Sequence, residues 1–223
     1  MTRYIFLIAF LLTGLISVNA QKTKTPEDIE YLEVLSNRSD KILDQYVHLP
    51  EGEIKEKVRD LMVKQYWDLN KIHDQKDRKI KELKQSGLSG ERLEKEKSRL
   101  ENKAEKKLLK LQKKYLSNLS KYLNNQQIDG IKDGMTLGAF DHNYRGFTEL
   151  IPTLKQEEKE YIYNQLLEAR DKAMNMGSSE DKQAVFRQYK GKINNYLSQQ
   201  GYDLDQERIE WNKRIEEAKR NKM

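Results

Sequence analysis

"ERLEKEKSRLENKAEKKLLKLQKKYLSNLSKYLN", Glu91 to Asn124, decides the fold class. Leu100, Ala104, Leu108, Leu111, Tyr115, Leu119 and Tyr122 follow one another at intervals of three or four. That is the period of an amphipathic helix, with charge on the remaining faces. Ahead of it, "SGLSG" (Ser86 to Gly90) is a stop signal. A second periodic run lies before the stop, from near Gly52 to about Gln85, with Val58, Met62, Tyr66, Leu69, Ile80 and Leu83 on one face. Two helices of about 34 residues, each roughly 50 Å long at 1.5 Å per residue, are joined by five turn-forming residues. They are expected to fold back as an antiparallel hairpin. Around "HDQKDRK" (His73 to Lys79) the seam positions fall to His73 and Lys76. The distal part, about residues 72–100, therefore reads as a projecting arm. It would be held by pairs such as Glu91 with Lys95, each contributing only about 0.3–0.5 kcal/mol.

Working outward, Thr25-Pro26-Glu27-Asp28 is a helix start: a capping hydroxyl, proline at the first position and acids in the first turn. That helix is expected to reach Tyr46. Beyond the hairpin, "DGIKDGMTLGAFDHNYRGF" (Asp129 to Phe147) concentrates Gly130, Gly134, Gly138 and Gly146. A mid-helix glycine costs about 1 kcal/mol relative to alanine, so a turn is expected here. Glycine at every fourth position also describes a helix-packing groove. That reading belongs to apolar membrane helices, and Lys132, Asp133, Asp141 and Arg145 speak against it. Helices follow over about 155–176, from Ser178 or Ser179 to Gln200 with Phe186, Tyr189, Ile193 and Tyr196 as a core stripe, and over about 205–220. Gly201 is the expected stop between the last two. No segment alternates with a period of two. The predicted class is all-α: a helical bundle with a long projecting antiparallel hairpin.

Residues 1–20 read as a signal peptide, with Arg3, an apolar run from Tyr4 to Ile16, and "SVNA" ending on Ala20. The run is shorter than the roughly 18–20 residues of a spanning helix, so cleavage before Gln21 is expected, with no stable membrane anchor afterwards. The expected location is periplasmic or secreted. Residues 21–223 would form a single helical domain. No cysteine occurs, so stability rests on packing, and thiolate chemistry is excluded. The formal net charge is +6, and Glu91–Lys114 alone carries ten basic and five acidic residues. A basic excess gathered on one helix argues weakly for nucleic acid, which is not an expected partner.

Three helix entries repeat a small pattern: Leu49-Pro-Glu-Gly-Glu53, Leu123-Asn-Asn-Gln-Gln127 and Leu154-Lys-Gln-Glu-Glu158. It resembles the Leu-Thr-x-x-Gln signature of periplasmic chaperones of the Spy and CpxP type, but the threonine is absent from all three copies. Ordinary helix capping is the favoured account.

A broader resemblance rests on "IKDGMT" (131–136), "ELIPTLKQEEK" (149–159), "LLEARDKAMNMGSSEDK" (166–182) and "FRQYKGKINNYLSQQGYDL" (186–204), in that order, with "QYWDLNKIHD" (65–74) upstream. Together they resemble the secreted Bacteroidetes family known as domain of unknown function 3826. The resemblance implies an exported protein often encoded beside genes for plant-polysaccharide breakdown. It brings no activity, and the charged stretch from Lys76 to Lys114 is particular to this chain.

The chemistry-bearing residues form partial sets. His48, His73 and His142 lack a second ligand at helical spacing, so no metal or other cofactor is expected. No serine sits in a GxSxG elbow. Glycoside chemistry needs only two carboxyls about 5–10 Å apart, for which Asp133, Asp141, Glu168 and Asp171 are candidates. The strongest set is polar and aromatic: Lys132, Asp133, Tyr144, Arg170, Lys190 and Asn194. If these converge, they suit an acidic oligosaccharide through charge-assisted hydrogen bonds and ring stacking. A structural ion-pair network joining three helices is the competing reading. Function is expected to be that of an exported accessory or binding protein in acidic-glycan use. A Spy-like chaperone and a glycan-active enzyme with paired carboxylates are the alternatives.

Overall fold

Thr25 opens the first helix as its sequence requires. Its backbone N–H donates to Asp28 Oδ2 (3.0 Å), and Asp28 N–H donates to Thr25 Oγ1 (3.2 Å). The computed structural model describes residues 25–221. The signal-peptide reading of residues 1–20 lies outside them. The described residues form eight α-helices and no strand, an all-α fold. These are α1 (Pro26–Ile42), α2 (Glu53–Gln85), α3 (Gly90–Leu119), α4 (Asn125–Met135), α5 (Ala139–Leu150), α6 (Gln156–Ala173), α7 (Ser179–Gln199) and α8 (Leu204–Arg220). Among them, no helix is long and apolar enough to cross a membrane.

The long helices pair along the predicted seam, burying Val58, Met62, Tyr66 and Leu69 of α2 with Ala104, Leu108, Tyr115 and Leu119 of α3. α3 ends five residues earlier than expected, in a tight turn. Asn124 then caps α4 by accepting from Gln127 N–H (2.9 Å), and Gln127 returns the bond to Asn124 N–H (3.0 Å). The Leu154 copy of the repeat is reciprocal in part, since Lys155 N–H donates to Glu158. The Leu49 copy has no side-chain cap at Gly52. Capping thus accounts for two of the three.

Two details of the expected arm are corrected. Its ion pairs join Lys76 to Asp77, Lys97 to Glu94 and Arg99 to Glu96, not Glu91 to Lys95. Its base is docked, because His73 Nε2 bonds the Asn175 carbonyl (2.8 Å) and the imidazole packs where a Gly177 Cβ would stand. The free part begins beyond His73.

The expected turn in the glycine stretch falls at Thr136–Gly138, between α4 and α5, but the first two glycines do not break the helix. α4 runs straight through Gly130 and Gly134, and both face the end of α1, which continues as a π-helical turn from Leu43 to Val47. A Cβ on Gly130 would stand 2.5 Å from the Tyr46 carbonyl oxygen, and one on Gly134 would stand 2.5 Å from Ile42 Cγ2. The every-fourth spacing is a packing groove after all. Close backbone approach and burial of Ile128, Ile131 and Met135 on the same helix outweigh the propensity cost, and the charged residues occupy the other faces.

Two hydrophobic clusters result. One joins α1, the π turn, α2, α3 and α4; the other joins α5, α6 and α7, with Tyr202 and Leu204 against it. The predicted α7 stripe is buried through Phe186, Tyr189 and Ile193, and Leu197 completes it in place of Tyr196. Tyr196 instead stacks on Tyr161 (3.8 Å between ring centres). α8 buries no residue fully. Its Arg214 donates to the Glu149 and Leu150 carbonyls at the end of α5 (2.9 Å each).

Candidate functional site

α4 stops at Thr136 with a paired backbone closure: Gly138 N–H donates to Asp133 O (2.8 Å) and Leu137 N–H to Gly134 O (3.2 Å). This Schellman arrangement places a left-handed residue just past the helix end, where glycine is usual. Here the residue is Leu137 (φ 63°), with Gly138 (φ 66°) following it. A left-handed L-residue costs roughly 1–2 kcal/mol. The strained leucine is also 60% exposed. It stands as a rib between two grooves of about 360 Å³ each, and both are lined by Leu137 and Lys182.

The first groove has Arg38, Lys41, Tyr46 and Tyr66 on its walls, at the contact of α1 with α2 and α4. The second has His142 and Asn143 of α5 facing Phe186, Arg187 and Lys190 of α7. No carboxylate lines either groove. Neighbouring acids are engaged elsewhere, as Asp40 pairs with Arg59 (3.4 Å) and Asp44 with Lys55 (2.6 Å). Among the described residues, Arg38, Lys41, Arg187 and Lys190 have no acidic partner.

Lys182 is the link between them. It is only 7% exposed and donates from Nζ to the Met135 carbonyl (2.8 Å), with Nζ 5.9 Å from the centre of the Tyr66 ring. The Arg38 guanidinium stands over the same ring at 5.7 Å. Burial first, and Arg38 second, pull the Lys182 pKa down to about 8. Sequence reasoning missed this lysine, although a signal existed. Lys182, Phe186, Tyr189, Ile193 and Leu197 share one helical spacing, so Lys182 occupies a core-stripe position.

The six residues expected to form one site divide among three places. Lys132, Asp133 and Arg170 come together. Arg170 donates to Asp133 (2.8 Å) and Asp129 (2.6 Å), Lys132 pairs with Asp171 (3.0 Å), and the guanidinium lies 5.2 Å above the Phe140 ring. Burial pushes the Asp133 carboxyl above its ordinary range against the pull of Arg170. These groups pair with one another as a structural network tying α6 to α4, although the buried Arg170 Nε has no hydrogen-bond partner. Tyr144 is one ring removed, stacked parallel to Phe140 (6.3 Å) and edge-on to Tyr163 (5.6 Å). Lys190 lines the second groove, and Asn194, one turn further along α7, is exposed. Neither cationic groove is lined by all six, because Arg170 faces α4 whereas Lys190 faces α5.

The candidate carboxylates are placed as follows. Asp133 and Asp171 are ion-paired, Glu168 accepts from Tyr189 O–H (2.7 Å), and Asp141 is exposed on α5. Among the described residues, no three His, Asp or Glu side chains converge as a metal site requires.

Comparison with known proteins adds one match. The family described as protein of unknown function (DUF3826) matches residues 32–217, and the chain belongs to it. No curated protein matches the chain.

Proposed function

We propose that this member of the family is an exported accessory protein that holds an acidic glycan in the double groove around Leu137. The observation that carries the reading is a set of five cations, Arg38, Lys41, Lys182, Arg187 and Lys190, around a groove without a carboxylate. Unpaired cations beside aromatic walls supply what a uronate needs: charge-assisted hydrogen bonds for its carboxylate and flat surfaces for its ring. Each lobe lies within the roughly 300–1,000 Å³ of small-molecule sites. The strained Leu137 between the lobes is consistent with a binding role, since exposed strain persists where it serves contact. The carboxylate-pair reading gains no comparable support, because three of the four candidate acids are tied to Arg170, Lys132 and Tyr189 and the fourth, Asp141, stands exposed on α5.

Calorimetry with oligogalacturonates tests the proposal. Saturable binding that weakens with salt is expected, and Arg187→Ala and Lys190→Ala should each reduce it by about 1–3 kcal/mol. Lys182 sets a pH dependence. Its pKa of about 8 means that the ammonium is present below pH 8 and is lost above it, so affinity should fall as pH rises through 8. Equal affinity for a neutral oligosaccharide, or unchanged binding by the Arg187→Ala/Lys190→Ala double variant, overturns the assignment.

A further inference from the structure

A third groove, of about 510 Å³, lies between the first turns of α1 and the middle of α2. Tyr31 and Trp67 form one wall, their ring centres 5.9 Å apart and their planes inclined by 39°. Both rings are partly buried against the first hydrophobic cluster, which fixes them from behind. Asn70, Asp74 and Gln75 follow Trp67 along the lining of α2, so amide and carboxylate heads stand beside the indole face. Glu27 and Asp28 close the groove from α1, and Lys71 and Arg78 stand at its α2 side.

The engagement of these groups differs from that of their neighbours. On the same helix Lys64 pairs with Asp68 (2.6 Å) and Lys76 with Asp77 (3.1 Å). Among the described residues, the side chains of Trp67, Asn70, Asp74 and Gln75 have no hydrogen-bond partner within the fold. Aromatic surface fixed by the packing of α1 on α2 and unengaged polar heads therefore occur together in this groove.

We infer that the Tyr31–Trp67 groove is a binding site for an uncharged sugar, separate from the cationic double groove. A pyranose or furanose ring presents an apolar C–H face and a rim of hydroxyls that both donate and accept. Trp67 and Tyr31 match the face, and mixed amides and carboxylates match the rim. Three carboxylates against two cations disfavour a polyanion. Lys71 and Arg78 disfavour a quaternary ammonium, the other ligand suited to carboxylates beside aromatic rings. The density of charged and amide groups disfavours a lipid tail.

The chain carries its own reporter, since Trp67 and Trp211 are its two tryptophans. The Trp211→Phe variant leaves Trp67 as the single indole. Titrating it with neutral hexose and pentose tetrasaccharides should give a saturable shift in emission. Adding Asn70→Ala and Asp74→Ala should weaken that response by at least about ten-fold without lowering Tm, because neither side chain bonds within the fold. Lys182→Met should leave it unchanged. Three results overturn the inference: no emission change with any tetrasaccharide at about 10 mM; a response that survives the double substitution; or a stronger response to tetramethylammonium or oligogalacturonate than to every neutral sugar.

Discussion

Three residues of the glycine stretch carry local penalties, Gly130 and Gly134 of one kind and Leu137 of the opposite kind, and each can be measured. Gly130 is compulsory because the Tyr46 carbonyl, a backbone atom, lies where its Cβ would be; Gly134 meets the β-branch of the buried Ile42 side chain. Alanine improves helix propensity by about 1 kcal/mol but must displace the π turn, so Gly130→Ala should lose about 1–3 kcal/mol net. Gly134→Ala should lose less, since a side chain yields more readily than a backbone. Leu137→Gly should do the reverse. Relief of the left-handed strain exceeds the added chain entropy, so stability should rise by up to about 1 kcal/mol. For a chain of this size each kcal/mol moves Tm by about 2–4 °C. Thermal melts in which Gly130→Ala matches the wild type would show that the approach of α4 to α1 is not tight. A destabilised Leu137→Gly would show that the leucine side chain, not the backbone, governs that corner.

At the scale of elements, the helices with strong apolar periods were legible, and their caps most of all: Thr25, Ser178 and Gly201 sit where the residue types require. α4 and α5 were not, because local propensity and tertiary packing disagree there. Glycine counts against a helix in isolation, and only the π turn opposite makes its missing Cβ favourable. The candidate site was legible in part. Lys190 and the glycine turn were read correctly as neighbours, whereas Arg38 and Lys41 reach the groove from a helix about a hundred residues away along the chain. No spacing rule reports such a contact. The arm was legible because its polar seam is a property of the two helices alone. Beyond Lys79 and Leu100, which line the same shallow contact, the hairpin makes mostly surface ion pairs. Replacing residues 80–99 with a short glycine turn should therefore leave Tm within a few degrees. Removing His73 as well should cost more, because its bond to Asn175 joins the arm's base to the end of α6. Collapse of the fold on the shorter deletion would place core contacts in the arm.

For the whole molecule, the question is what holds the two hydrophobic clusters together, since their junction is largely polar. Met174 reaches from the end of α6 into the first cluster, and around it lie bonds from Lys182 to Met135, from Gln112 to Asp171 (2.8 Å) and from Asn175 to Gln112 (2.8 Å). Arg170 is the centre of this junction. It is 4% exposed and binds two carboxylates of α4, of which Asp133 is largely buried and Asp129 half exposed. Replacing such a group leaves a buried charge uncompensated, which costs about 3–5 kcal/mol for a fully buried pair. The exposure of Asp129 lowers the expectation for Arg170→Met to about 3 kcal/mol. Adding Asp133→Asn should restore part of that loss, because the stranded carboxylate is then neutral. Urea unfolding measures both variants. A loss below about 1 kcal/mol for Arg170→Met would mean that the guanidinium is free for a ligand rather than committed to the fold. The reading of Arg170 as a sugar contact would then regain its place beside the Lys182 groove.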